Sequence, residues 1–179
     1  MTQTAQNYAD ALYELAADEG LVEKLYAQLG EVQSIFQANP DYVRLLSAPN
    51  LPKAERLAAL DRAFGAQAHP YLLSFLKLLC ERGHIRELDN CALRFHRRRN
   101  ADLGILDATA VTAVPLRPAL LEKLRQRLSA LTGKQVHLRN RVDPAVLGGV
   151  RLEYDGNALD GTVRSRLSGI EKTLSETVL

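Results

Sequence analysis

Between Val142 and Leu167 the residue order, VDPAVLGGVRLEYDGNALDGTVRSRL, leaves the backbone little choice. Val150, Leu152 and Tyr154 alternate with Arg151, Glu153 and Asp155, the period-two pattern of a strand with one buried face and one wet face. Gly148 and Gly149 reach φ values closed to other residues, so the chain can turn into the strand there. Asp155-Gly156 is a tight-turn pair that returns the chain through Ala158 and Leu159, which predicts a β-hairpin. Asp160 then stands where its carboxylate can accept hydrogen bonds from the first free N–H groups of a helix. The apolar positions of that helix, Val163, Leu167, Ile170, Leu174 and Val178, recur at three- and four-residue steps.

The first half of the chain has a different period. A helix is expected from about Thr4 to Glu19, stopped by Gly20. Gln3, Asn7, Asp10, Glu14 and Asp18 form one narrow polar stripe on it, and apolar residues from Tyr8 to Ala16 cover most of the remaining circumference. A surface helix usually buries one stripe somewhat wider than 100°. The excess fits either a central bundle helix or a helix with a second, Ala-lined face for a partner helix. The second helix, about Leu21 to Gln37, ends at Asn39-Pro40, because a residue before proline avoids helical φ/ψ. A short turn of helix, Asp41 to Leu46, follows. A fourth helix opens at Asn50-Leu51-Pro52 and closes at Gly65. The fifth, YLLSFLKLLCERG, starts after His69-Pro70, is apolar on nearly every side and stops at Gly83. The sixth, about Ile85 to Asp102, packs Leu88, Cys91, Ala92 and Phe95. It is expected to leave Arg94, Arg97, Arg98 and Arg99 in water, near a helix end that favours cations.

After Gly104 the period changes. Leu106, Ala108, Ala110, Thr112 and Val114 read as a strand, broken by Pro115 to Pro118. A helix from about Ala119 to Leu131 follows, with Leu120, Leu121, Leu124, Leu128 and Leu131 on one face. Val136, Leu138 and Val142 then alternate with His137, Arg139 and Arg141 in another strand. With the hairpin and last helix, this predicts an α+β protein: an N-terminal six-helix bundle over residues 1–104, then a small α/β sandwich domain over 105–179.

Chemistry is hard to find in this pattern. Four histidines, His69, His84, His96 and His137, lack ligand spacing, and none stands beside a nucleophile. Cys80 and Cys91 lie in helical patterns and read as small core residues with reduced thiols. The Gly148-Gly149 pair is no phosphate cradle. Asp155 and Asp160 suit turn and cap roles better than acid–base catalysis. No catalytic, metal-binding or cofactor-binding residue is therefore predicted. A net charge of +2, from 23 basic and 21 acidic residues, recommends neither nucleic acid nor an anionic membrane. There is no spanning-length apolar run and no signal-peptide pattern, so a soluble, non-exported protein is expected. Arg97 to Arg99 with Lys134, Arg139, Arg141 and Arg151 offer an alternative, an RNA-binding α/β module with a helical accessory domain. The basic strand face lacks aromatic side chains for base stacking. What stands out is a two-domain chain with surplus apolar helix surface near each end, as a connector would have.

The chain resembles the δ subunit of F-type ATP synthases, the counterpart of the mitochondrial oligomycin-sensitivity-conferring protein. The likeness runs from YADALYELA through LSAPNLP and FLKLLCERGHIREL to the hairpin segment, with its Leu-Gly-Gly lead-in, alternating strand and Asp-Gly-Thr-Val-Arg ending. The resemblance implies a non-catalytic stator subunit of the rotary proton-translocating enzyme. It is expected in single copy on the cytoplasmic face of the inner membrane, without insertion, cofactor or nucleic acid. The helical domain would receive the N-terminal helix of an α subunit at Tyr8, Ala11, Leu12 and Leu15 of the first helix and Phe75, Leu78 and Leu79 of the fifth. The C-terminal domain would hold the b subunits of the peripheral stalk through Val163, Arg164, Leu167, Ile170 and Leu174.

Overall fold

Positive-φ glycines punctuate the helices. In the computed structural model, which describes residues 2–146, 148–154 and 156–161, α1 (Gln3–Asp18) ends where Gly20 takes φ 66°. There the Gly20 and Leu21 amides donate back to the Ala17 and Ala16 carbonyls at 3.1 and 2.8 Å. Gly83 repeats the device after α5 (Pro70–Glu81), with the His84 amide donating to Leu79 O at 2.7 Å. Both are Schellman closures, in which a residue without Cβ lets the chain reverse while the last carbonyls stay bonded. Between them lie α2 (Val22–Ala38), α3 (Pro40–Leu46) and α4 (Lys53–Phe64). A 3₁₀ turn at Ile85–Glu87 leads into α6 (Leu88–Asp102).

The chain divides into two compact units, Met1–Arg99 and Asn100–Leu179. In the first, one hydrophobic cluster takes a stripe from every helix: Ala5, Ala9, Leu12, Tyr13 and Ala16 from α1, Leu25 and Leu29 from α2, Leu72, Leu76 and Leu79 from α5, Phe95 from α6. The buried alanines let neighbouring helix axes approach closely. Cys80 and Cys91 sit in this core as expected, each thiol against a backbone carbonyl, Leu46 O and Ala5 O. Burial pushes the Cys91 thiol up to about 12, so it remains protonated.

The second unit is built on a four-stranded sheet in the order β2-β1-β3-β4, formed by β1 (Ile105–Thr112), β2 (Gln135–Val142), β3 (Val150–Tyr154) and β4 (Asn157–Asp160). β1 runs parallel to β2, with α7 (Pro118–Thr132) as the crossover, and antiparallel to β3. The hairpin pairs Tyr154 with Asn157, which fixes the two-residue loop predicted at Asp155-Gly156. The core is small: Leu106, Ala108 and Val136, with Leu128, Leu138 and Tyr154 half-buried around them.

Several expectations need correcting. β3 does not alternate cleanly, because all five of its residues are half-buried. Arg151 and Glu153, read as the wet face, bond each other at 3.1 Å and so cover one another. Asp160 closes β4, paired with Arg151, and the helix it would cap lies outside the described residues. On α7 the leucines do not form one buried face. Leu121, Leu124 and Leu128 are half-buried, whereas Leu120 is 52% and Leu131 83% exposed.

One polar residue, Asn140, lies on the apolar side of β2 with Val136 and Leu138. Asn140 donates from Nδ2 to Ala110 O at 2.8 Å and to Thr112 Oγ1 at 2.9 Å, and its Oδ1 accepts from Leu116 N at 2.9 Å. Three bonds from one amide pin the turn between β1 and α7 to the neighbouring strand. Replacing Asn140 by Ala strands those partners, and a loss of about 1–3 kcal/mol is expected in urea unfolding. A loss below about 0.5 kcal/mol would mean that water replaces the amide without cost.

Candidate functional site

The predicted groove residues fall into two groups. On α1, Leu12 is buried in the core, Tyr8 is half-buried, Ala11 is exposed and Leu15 is 39% exposed. On α5, Phe75 and Leu79 are buried, while Leu78 is 39% exposed. The two helices are in contact. Tyr8, Ala11 and Leu15 follow one another at three- and four-residue steps, so they share one face of α1 beside the core stripe of Ala5, Ala9, Leu12 and Ala16, with Tyr8 packed against the core and Ala11 and Leu15 outward. Two apolar faces on one helix are thus present. Of the seven residues, Ala11, Leu15 and Leu78 can meet a partner directly, and Tyr8 in part. Leu12, Phe75 and Leu79 hold the two helices from within.

The polar stripe of α1 is exposed except at Asp10, which is half-buried. Arg94 Nε and Nη2 bond Asp10 Oδ1 and Oδ2 at 2.8 and 3.0 Å, a bidentate fork, and Arg98 adds a bond to Oδ1 at 3.3 Å. Arg98 lies 3.7 Å from Glu14 Oε1, with its guanidinium 5.0 Å from the Tyr13 ring centroid. Arg99 grips Glu23 of α2 with two bonds of 2.8 Å and lies 4.4 Å from the centroid of Tyr26. Arg94, Arg98 and Arg99, expected in water, therefore tie α6 to α1 and α2. An α1 carboxylate at the centre of such a fork orients α1 against α6, and bidentate Arg pairs are the ion pairs with most geometric specificity.

The hydrogen bonds from Arg94 hold the Asp10 carboxyl below its ordinary 3.8, against a smaller opposing effect of burial. A depressed native pKa means a contribution that is full above the unfolded value and lost as pH falls through the lower native one. Asp10→Asn is therefore expected to lower the urea midpoint at pH 7 and to flatten its fall below pH 4. An unchanged acid limb in the variant would show that other carboxylates carry that dependence.

The alternative nucleic-acid face is partly neutralised, with Arg141 and Arg151 paired to acids and Lys134 and Arg139 outside any ion pair among the described residues. Arg141 donates two bonds to Glu153 at 3.0 and 2.9 Å, Arg151 reaches the same carboxylate, and His137 Nδ1 lies 3.3 Å from Asp107 Oδ1. The other histidines have local partners: His69 Nδ1 accepts from Tyr71 N, His84 lies beside the Tyr8 ring, and His96 stacks on Tyr26. No group of three or more metal-ligating side chains occurs among the described residues. No described helix is long and apolar enough to cross a membrane. The residues expected to meet the stalk, Val163, Arg164, Leu167, Ile170 and Leu174, lie outside the described part.

The sequence model of the family described as ATP synthase delta (OSCP) subunit matches residues 4–174. The chain belongs to that family. The δ subunit of Gloeobacter violaceus is 35% identical over 170 residues, covering 92% of this chain and 90% of its own. A δ subunit of Syntrophotalea carbinolica is 35% identical over 168 residues, covering 93% of each. A chain of the Toxoplasma gondii mitochondrial ATP synthase hexamer shares the fold, with a TM-score of 0.72 at 20% identity over 97% of this chain and 98% of that one. As a member of the δ/OSCP family the protein is a non-catalytic, structural subunit with a stator role.

Proposed function

We propose that residues 1–104 form a six-helix bundle that receives the N-terminal helix of an α subunit between α1 and α5. Residues 105–179 would hold the b subunits of the peripheral stalk. The observation that carries the first half is the outward placement of Ala11, Leu15 and Leu78 on two helices in contact, while Ala5, Ala9, Leu12, Leu72, Leu76 and Leu79 of those helices fill the core. An amphipathic helix laid against them buries an i, i+3, i+4 set of its own. The small Ala11 permits close approach, and Leu15 and Leu78 supply apolar area on either side.

In this reading one copy of the chain sits at the cytoplasmic face of the inner membrane, joining the catalytic head to the stalk. It does no chemistry. Its task is to resist the torque of the rotor, for which a slow off-rate matters more than a fast on-rate. Nanomolar affinity corresponds to about 12 kcal/mol, within reach of a helix in a preformed groove. Calorimetric titration of the full chain with a synthetic peptide from the same organism's α-subunit N-terminus tests it. One-to-one binding in that range is expected, and absence of heat with a folded chain would place the head contact elsewhere.

A further inference from the structure

A second apolar face lies on α7, where residues stand out that the small sheet does not cover. At about 100° per residue, Leu121, Leu124 and Leu128 point to the sheet, while Leu120 and Leu131 fall some 50–75° to one side of them. Lys123, Arg127 and Ala130 continue round the same flank. The flank is hollowed. Leu120, Lys123, Leu124, Gln126, Arg127 and Ala130 line a depression of about 480 Å³. Another of about 440 Å³ continues it through Val114, Pro115 and Arg117 at the helix start. Leu131 and Val114, 83% and 68% exposed, are the most exposed large apolar residues described in this unit, and with Leu120 at 52% they set exposed apolar side chains along three helical turns of the flank.

Its charge is one-sided. Arg117, Lys123 and Arg127 border the strip, and none of them has an ion pair among the described residues. The acid on α7, Glu122, is already engaged: Arg125 donates to it at 2.6 Å and Gln126, itself a lining residue, at 3.0 Å. From Leu120 to Leu131 the flank runs roughly 17 Å along the helix axis.

We propose that this flank of α7 is the docking surface for a partner helix that carries an apolar stripe bordered by carboxylates. Resting on the stalk-binding reading above, that helix belongs to the b subunits. The basic border sets orientation and encounter rate, and the leucines supply the affinity.

The test uses the full chain and the soluble part of the b dimer from the same organism, with affinity measured at low and high salt. Leu120→Asp with Leu131→Asp is expected to weaken binding about 30-fold or more, with the melting temperature within about 2 °C of wild type because both side chains are already exposed. Lys123→Glu with Arg127→Glu is expected to weaken it about 10-fold at low salt and to flatten the salt dependence. Unchanged affinity in both variants, with wild-type binding intact, overturns the α7 surface and leaves the stalk reading standing. A drop of several degrees in melting temperature with unchanged affinity also overturns it, and assigns the strip to residues 162–179 of the chain itself. Failure of the wild-type chain to bind b overturns the stalk reading and the α7 surface together.

Discussion

Ala11→Asp is expected to weaken binding of the α-subunit N-terminal helix about 100-fold while the chain stays folded. Ala11 is exposed next to Leu15 on the face of α1 that borders the core stripe. In the free chain a carboxylate there is solvated. In the complex it must be dehydrated against an apolar helix, at a cost of roughly 3 kcal/mol without a compensating partner, and 2.7 kcal/mol is a factor of 100. The helix itself loses only about 0.6 kcal/mol of propensity, a shift of a few degrees in melting temperature. Leu12→Asp, one residue on, is the contrast: Leu12 is buried in the core cluster, so that change should unfold the unit. Wild-type calorimetric affinity in Ala11→Asp would remove α1 from the contact.

Phe95→Ala is expected to cost the helical unit about 3–5 kcal/mol, a large share of the 5–15 kcal/mol by which a domain is usually stable. Phe95 has no exposed surface and is the largest of the fully buried side chains. Its ring meets Tyr13 edge-on, with centroids 5.1 Å apart, and Tyr13 in turn lies beneath the Arg98 guanidinium. Deleting the ring opens a cavity at the junction of α1 and α6, where the Asp10 fork also ties the two helices. Phe95→Leu, which keeps most of the volume, should cost about 1.5 kcal/mol or less. Urea unfolding at neutral pH measures both. A loss under 1 kcal/mol in Phe95→Ala would mean that the junction collapses onto the gap or that Phe95 is not at its centre.

The two experiments bear on one property. A stator joint must survive torque, so a helix proposed to meet the head must not slide on its own core. α1 is held on one side by apolar packing and on another by Arg94 and Arg98. That leaves Ala11 and Leu15 outward, on the face proposed for the α-subunit helix.

Element order was legible because its causes are local. The 3.6-residue recurrence of apolar positions, the glycines at positions 20 and 83, the prolines at 40, 52 and 70, and the Asp155-Gly156 turn all act within a few residues of where they stand. The breadth of apolar surface on α1 was legible for the same reason, since composition around one helix needs no knowledge of its neighbours.

What the tertiary structure decided is which residues on a broad apolar helix are covered. Leu12 and Leu15, Phe75 and Leu78, Leu124 and Leu120 are equivalent by hydropathy, and only the helices and strands packed against them separate core from surface. The arginines of α6 make the same point. Their partners lie 84 and 76 residues away, and a helical wheel drawn from α6 alone puts them in water. Periodicity is a property of one segment, whereas burial and ion pairing belong to two, brought together by packing that no local pattern encodes.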